Sequence, residues 1–182
     1  MSIRDELHAL LAERAFRWGD FVLSSGRRSN FYFDGRQVTL DGRGLHLVSM
    51  LMLERCRAAR ATTVGGLTLG ADPIAAGVAL QSDIDGAPLR AFIVRKEAKS
   101  HGAGGRIAGP ALNAKDRVVI VDDTTTTGTS FLNAAEAARE VGASIVGCIV
   151  IVDREEGAAE ALRAVGLPFS ALFVRSEFAA PS

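Results

Sequence analysis

Residues 118–130, VVIVDDTTTTGTS, carry the chain's densest set of groups able to do chemistry. An apolar run passes straight into two acids, a series of hydroxyl side chains and a glycine, and a helical pattern follows. In open α/β sheets, ligands bind at the carboxyl ends of the strands, which is where such groups would stand. Gly128 permits a tight turn. The N–H groups and hydroxyls of Thr124, Thr125, Thr126, Thr127, Gly128, Thr129 and Ser130, at a helix N-terminus, form a cradle for a phosphate monoester. Asp122 and Asp123 would repel a phosphate unless they meet something else. Carboxylates accept hydrogen bonds from ribose hydroxyls, and they hold waters of a magnesium ion that neutralises a diphosphate. The bland alternative is that the two acids start a turn and cap the helix. No GK[ST] follows, so this is not a Walker loop.

A second cluster occupies residues 94–110, VRKEAKSHGAGGRIAGP, where Arg95, Lys96, Lys99, His101 and Arg106 are interrupted by one acid, Glu97. Cations on a mobile loop would close over a polyphosphate and stabilise charge growing on a leaving diphosphate. A solvated charged loop is the other reading. Residues 65–73, GGLTLGADP, follow a strand pattern and open a helix, a place where backbone N–H groups approach a diphosphate. A tight turn before Pro73 explains those glycines as well.

The elements that must position these groups alternate along the chain. Ser2 and Asp5 make a capping-box-like start, and Ile3, Leu7, Leu10, Leu11 and Phe16 recur at helical spacing, predicting a first amphipathic helix. Residues 21–23 and 30–33 read as short strands around the turn SSGRRS, a small flap. Residues 45–56 suit a helix packed on a sheet. Residues 61–65 are predicted as a strand, 72–80 as a helix with Pro73 in its first turn, and 89–95 as a strand. Residues 96–116, rich in glycine, are predicted to be irregular and are a candidate lid. Then come a strand at 117–121, a helix at 130–141 ended by Gly142, and a strand at 144–152, SIVGCIVIV, apolar enough for burial on both faces. A helix at 157–165 and a strand at 169–174 follow. This alternation predicts an α/β fold, a mostly parallel sheet with helices on both faces. A length of 182 residues fits one domain, residues 1–182, with residues 1–40 adding the first helix and a small hood.

Lysine plus arginine equals aspartate plus glutamate at 21 each, so no global field draws the chain to nucleic acid or an anionic membrane. No run reaches the roughly 18 apolar residues of a membrane span, and the charged N-terminus is no signal peptide, so a cytoplasmic location is expected. Cys56 and Cys148 lack zinc or disulfide spacing and are predicted to be buried thiols. His8 and His46 fall in helices as surface or packing residues, and Trp18 is predicted to be core.

The 118–130 segment resembles the phosphoribosyl diphosphate (PRPP) motif of type I phosphoribosyltransferases: a few aliphatic residues, two acids, then a Thr/Gly/Ser-rich loop. The resemblance implies that residues 124–130 hold the 5-phosphate and that Asp122 and Asp123 hold the ribose hydroxyls. It narrows to the orotate phosphoribosyltransferase family at the pattern RKxxKxHG, matched by Arg95, Lys96, Lys99, His101 and Gly102, and at FxLxSGxxSxxYxDxR, matched within FVLSSGRRSNFYFDGR. What the resemblance implies is a homodimer whose basic loop reaches into the neighbouring subunit's site. Tyr32 and Phe33 would be part of an aromatic hood over the base. By resemblance Arg154, in VDREEG, binds the orotate carboxylate, for which two parallel hydrogen bonds suit a guanidinium, and Thr126 contacts the base. A surface arginine paired with Glu155 or Glu156 is the plainer reading of Arg154. One branch of the family has a lysine in the 65–73 loop and another before SG, where this chain has only Thr68 and Leu69, and Ser24. Those diphosphate contacts therefore fall to backbone.

The expected reaction is transfer of the phosphoribosyl group from PRPP, bound with magnesium held mainly through its diphosphate, to orotate, giving orotidine 5-phosphate for UMP synthesis. No direct protein ligand to the metal is named. Lys99 is the first choice for stabilising the departing diphosphate, with His101 assisting and Asp122 and Asp123 favouring positive charge on the ribose. A purine phosphoribosyltransferase is the nearest alternative enzyme. A regulator that senses PRPP is the alternative from another class; the neutral charge and the absence of an added DNA-binding helical domain stand against it.

Overall fold

The computed structural model describes residues 2–22, 26, 28–99 and 105–178, apart from the side chains of residues 98 and 99. Helix α1 (Ile3–Leu10) opens on a reciprocal cap: the Ser2 hydroxyl accepts from the Asp5 N–H at 3.1 Å, and the Asp5 carboxylate accepts from the Ser2 N–H at 3.0 Å. The helix does not run on to Phe16. A π-helical turn, Leu11–Ala15, closes it, and Phe16 begins strand β1 (Phe16–Val22). There Phe16 pairs with Phe33 of β2 (Arg28–Phe33) and packs its ring on Phe33 and Phe178, at centroid separations of 4.9 and 4.3 Å. Burying that ring is worth more than one further helical turn. β1 and β2 form an antiparallel sheet of their own. Side chains alternate across it, so Phe31 and Phe33 are buried and Tyr32 between them is exposed.

A short helix, α2 (Arg36–Thr39), absent from the sequence expectations, leads to α3 (Gly42–Ala58), whose N-cap Asp41 accepts from the Gly44 N–H at 3.0 Å. Then follow β3 (Thr63–Leu67), α4 (Ala71–Ile84), β4 (Arg90–Lys99), β5 (Gly105–Ala108), β6 (Arg117–Thr125), α5 (Thr129–Glu140), β7 (Ser144–Asp153), α6 (Ala158–Ala164) and β8 (Phe169–Val174). The second sheet has the order β5-β4-β3-β6-β7-β8, and every neighbouring pair is parallel except β4 with β5. Alternate residues of β6 and β7 feed two cores. Val119, Val121, Ile149 and Ile151 pack with residues of α1, α3 and α4, while Val118, Ile120, Cys148 and Val150 pack with residues of α5 and α6. The mostly parallel sheet covered on both faces is therefore present.

The expected irregular stretch at 96–116 is a correction. β4 continues to Lys99 and β5 returns beside it, with Val94 opposite Ile107 and Lys99 opposite Gly105, because edge backbone of β4 finds its partners in this hairpin. The end of the stretch is folded onto Asp116. Its buried carboxylate accepts from the Asn113 N–H at 2.8 Å, from the Thr62 and Thr63 hydroxyls at 3.2 Å each, and from the Arg90 guanidinium. Burial pushes Asp116 upward, but these donors outweigh it and hold the carboxyl below its usual range. Cys56 and Cys148 are buried, which raises both thiols to about 12.

Candidate active site

The chain leaves β3 for β4 on one side, and β6 pairs on the other, so the direction of the sheet order reverses between β3 and β6. Ligand crevices in open α/β sheets form at such a point. β6 is longer than the apolar run suggested and carries the acids inside the ladder: Asp122 is opposite Val150 and Thr124 opposite Val152 of β7. The β3–α4 turn lies against them. A Cβ on Gly70 would stand 2.6 Å from Asp123 Oδ1 and closer still to Asp122 Oδ1, so only glycine permits this approach. The Thr68–Leu69 peptide is cis, the Thr68 N–H donates to the Val94 carbonyl at 2.9 Å, and the Thr68 hydroxyl donates to Asp72 at 2.7 Å.

From the other side comes the turn after the aromatic hairpin. A Cβ on Gly35 would lie 2.8 Å from Asp123 Cβ and 2.9 Å from its Oδ2. Asp34 beside it accepts from Arg36 Nε at 2.7 Å, from the Arg36 N–H at 3.2 Å and from Gln37 Nε2 at 3.2 Å. The acid pair is thus wedged between two glycine turns. Asp122 accepts from the Asp123 N–H at 3.0 Å, and Asp123 from the Thr124 N–H at 2.8 Å. Burial, then the neighbouring Asp123 charge, raises Asp122 to about 7, a hydrogen bond from Ser130 offsetting part of this. Burial likewise raises Asp123, against the Thr124 N–H and the nearby Arg36 charge.

Beyond the acids the backbone turns at Gly128, φ 81°, whose N–H donates to the Thr125 hydroxyl at 3.2 Å. The Thr127 and Thr129 hydroxyls are 2.9 Å apart. α5 starts here with no side-chain cap, leaving first-turn N–H groups for another acceptor. The same holds for α4, which starts after Gly70.

A cavity of about 300 Å³ joins these parts, lined by Phe33, Asp34, Arg36, residues 67–70, Lys96 and residues 122–124. Of the residues singled out from sequence, it brings Lys96, Asp122, Asp123, Thr124 and Phe33 together, with residues 125–130 on the loop that follows. Arg95, next to Lys96 in β4, takes the opposite strand face, and its carbonyl accepts from Arg106 Nε at 3.3 Å. Tyr32 likewise faces away from Phe33, beside Phe21. Arg154 is nearly buried, its guanidinium 4.7 Å from the Phe31 ring centre and its Nε 2.9 Å from Glu156, an ion pair whose N–H is not aligned for a hydrogen bond. Its own N–H donates to the Thr125 carbonyl at 3.0 Å. His101 and the Lys99 side chain lie outside the described residues. Gly70 falls in the 65–73 turn expected to give backbone contacts to a diphosphate, whereas Asp34 and Arg36 stand in the signature FxLxSGxxSxxYxDxR without a role in the site read from sequence, and Gly35 falls at one of its unspecified positions.

Residues 56–164 match the family described as phosphoribosyl transferase domain. Over 174 residues the chain is 45% identical to an orotate phosphoribosyltransferase of Corynebacterium glutamicum, spanning 96% of this chain and 92% of that one. The chain belongs to the orotate phosphoribosyltransferase family. Within that family, the Aquifex aeolicus orotate phosphoribosyltransferase is 42% identical over 96% of both chains. The Mycobacterium tuberculosis orotate phosphoribosyltransferase superposes with a TM-score of 0.86 at 40% identity, over 97% of this chain and 98% of that one. Another structure of that enzyme, in complex with PRPP, gives 0.82 at 38% identity. An adenine phosphoribosyltransferase from Leishmania donovani, at 18% identity and a TM-score of 0.72, shares the fold.

Proposed function

We propose that this chain transfers the phosphoribosyl group of PRPP to orotate, giving orotidine 5-phosphate and diphosphate. The observation that carries the reading is the acid pair standing between two helix N-termini that no side chain caps, at Gly70 and Gly128. PRPP has the matching layout: anionic groups at both ends of a sugar whose hydroxyls suit carboxylates. The α5 end and the hydroxyls of residues 124–130 take the 5-phosphate, Asp122 and Asp123 take the ribose hydroxyls, and the 67–70 turn takes the diphosphate.

N1 of orotate gives up its proton to solvent and forms a bond to C1 as the bond from C1 to the diphosphate oxygen breaks, and the diphosphate leaves with the electron pair. Charge at the ribosyl centre becomes positive on the way, and the buried carboxylates favour it. Lys96, Arg95, Lys99 and His101 are assigned to the diphosphate, with Lys99 the principal group. Arg154 and Thr126 are assigned to orotate, with Tyr32 and Phe33 part of the hood around it. The acid pair holds negative charge that burial solvates poorly, which fits a magnesium ion arriving on the diphosphate. Such an ion neutralises the diphosphate when bound, and it is assigned no direct protein ligand. The homodimer with loops acting across the interface, and the cytoplasmic location, belong to the same reading; among the described residues no helix is long and apolar enough to cross a membrane.

Incubation with PRPP, magnesium and each of orotate, uracil, hypoxanthine and adenine tests it. Orotate is expected to be consumed; orotate untouched while another base disappears refutes it. Mixing inactive Lys99→Ala and Asp123→Asn chains should restore activity in mixed dimers, and no recovery counts against shared sites.

A further inference from the structure

The turn assigned above to the diphosphate has no charge of its own: its residues are Leu67, Thr68, Leu69 and Gly70. From this turn only backbone N–H groups would face a group with several negative charges, beside two acids, and the cations assigned to that group above, Arg95, Lys96, Lys99 and His101, all come from β4 and the segment after it. Arg36 lines the same cavity, near enough to Asp123 for its charge to act on that carboxyl. Three independent features hold it there. Gly35 has no room for a Cβ against Asp123, so the turn carrying Arg36 is fixed hard against the acid pair. Asp34 takes the Arg36 Nε and backbone N–H, which orients the guanidinium from behind. Gln37 binds the second Asp34 oxygen, so the carboxylate that does the orienting is itself held.

We propose that Arg36 binds the diphosphate of PRPP through its two Nη groups, and that Asp34 is its positioning residue. The inference rests on the PRPP reading given above. Asp34 engages Nε and the side chain remains 45% exposed, so that among the described residues the two Nη groups are open to a bidentate contact with an oxyanion. Among the described residues, Arg36 and Lys96 are the cationic ones lining the cavity, against Asp34, Asp122 and Asp123. Arg36 would replace from the hairpin side the charge that the β3–α4 turn lacks. During reaction it would also meet charge growing on the leaving oxygen, where a fixed cation is worth more than on the intact glycosyl ester.

Binding of inorganic diphosphate with magnesium, and separately of ribose 5-phosphate, is measured by calorimetry on the parent, Arg36→Gln, Arg36→Lys, Asp34→Asn and the Asp34→Asn/Arg36→Gln double variant. A charge-assisted bidentate contact is worth roughly 10- to 100-fold in affinity. Arg36→Gln should weaken diphosphate by that factor and leave ribose 5-phosphate unchanged, and Arg36→Lys should fall between. Asp34→Asn should weaken diphosphate less, and the double variant no more than Arg36→Gln alone, because Asp34 acts through Arg36. No loss for diphosphate in Arg36→Gln, or an equal loss for both ligands, overturns the inference. The parent's turnover of PRPP and orotate is read in its own assay, so that failure and this one are separate.

Discussion

Replacing Asp122 by asparagine keeps an oxygen for the Asp123 N–H and removes the buried one of two adjacent charges. The carboxyl is held at about 7 in the fold, against 3.8 without the fold around it. At about 1.4 kcal/mol per pH unit, that difference amounts to about 4 kcal/mol of strain at pH 8 if Asp122 bears it all, and to about half that if the pair shares it. The sign follows from proton uptake. The native state holds the proton more tightly than the unfolded chain, so stability from this group is full below about pH 4 and is lost as pH rises through about 7. Asp122→Asn should therefore raise the thermal midpoint at pH 8, by roughly 4–15 °C for a chain of this size. The gain should shrink towards zero as the pH approaches 4, while turnover with PRPP is lost. Calorimetric scans of parent and variant from pH 4 to pH 8 provide the comparison. A variant less stable than the parent at pH 8, or one whose advantage persists unchanged in acid, refutes the view that the site stores electrostatic strain at Asp122.

Gly70→Ala forces a methyl onto both carboxylates and should cost about 1–3 kcal/mol in urea unfolding and weaken PRPP binding. Gly42→Ala, with nothing within 4 Å of the new methyl, should be neutral or stabilising in the same titration. Asp116→Ala leaves Arg90, Thr62, Thr63 and the Asn113 N–H facing a hole and should destabilise by about 3–5 kcal/mol at neutral pH. Because Asp116 is held below its usual range, its contribution is present above the unfolded pKa and is lost as pH falls, so parent and variant should converge in urea melts well below about pH 4.

The acids and the hydroxyl loop were legible in the sequence because their meaning is local. An apolar strand, a glycine with φ 81° and a helix start lie within a dozen residues, and they fold together wherever the strand sits in the sheet. The parallel sheet was legible for a related reason, since continuous apolar runs such as SIVGCIVIV are needed only where both faces are covered. Arg36 was legible as the last position of a motif, but its place in the site was not. Its place depends on Gly35 meeting Asp123, a contact between distant parts of the chain, and neither residue announces the other. The β4–β5 hairpin was hidden for a different reason: glycines between its arms read as punctuation, and only edge pairing with β4 makes a strand of residues 105–108. The pairing of Arg154 with Glu156 was legible from their closeness in the chain, but its near-burial over the Phe31 ring was not, since Phe31 belongs to a hairpin far away in sequence.

The chain enters and leaves the aromatic hairpin at one place, where the Asp34 N–H donates to the Ala15 carbonyl at 3.0 Å. Among the described residues it has no ladder to the larger sheet, and aromatic packing holds it instead, with Phe16 on Phe178 and Phe31 under the Arg154 guanidinium. Its second strand carries Phe31 and Phe33. The turn that follows is only three residues long and ends at Arg36, with Gly35 close against Asp123. The backbone that seats Phe33 in the core thereby also sets where Arg36 stands, three residues on.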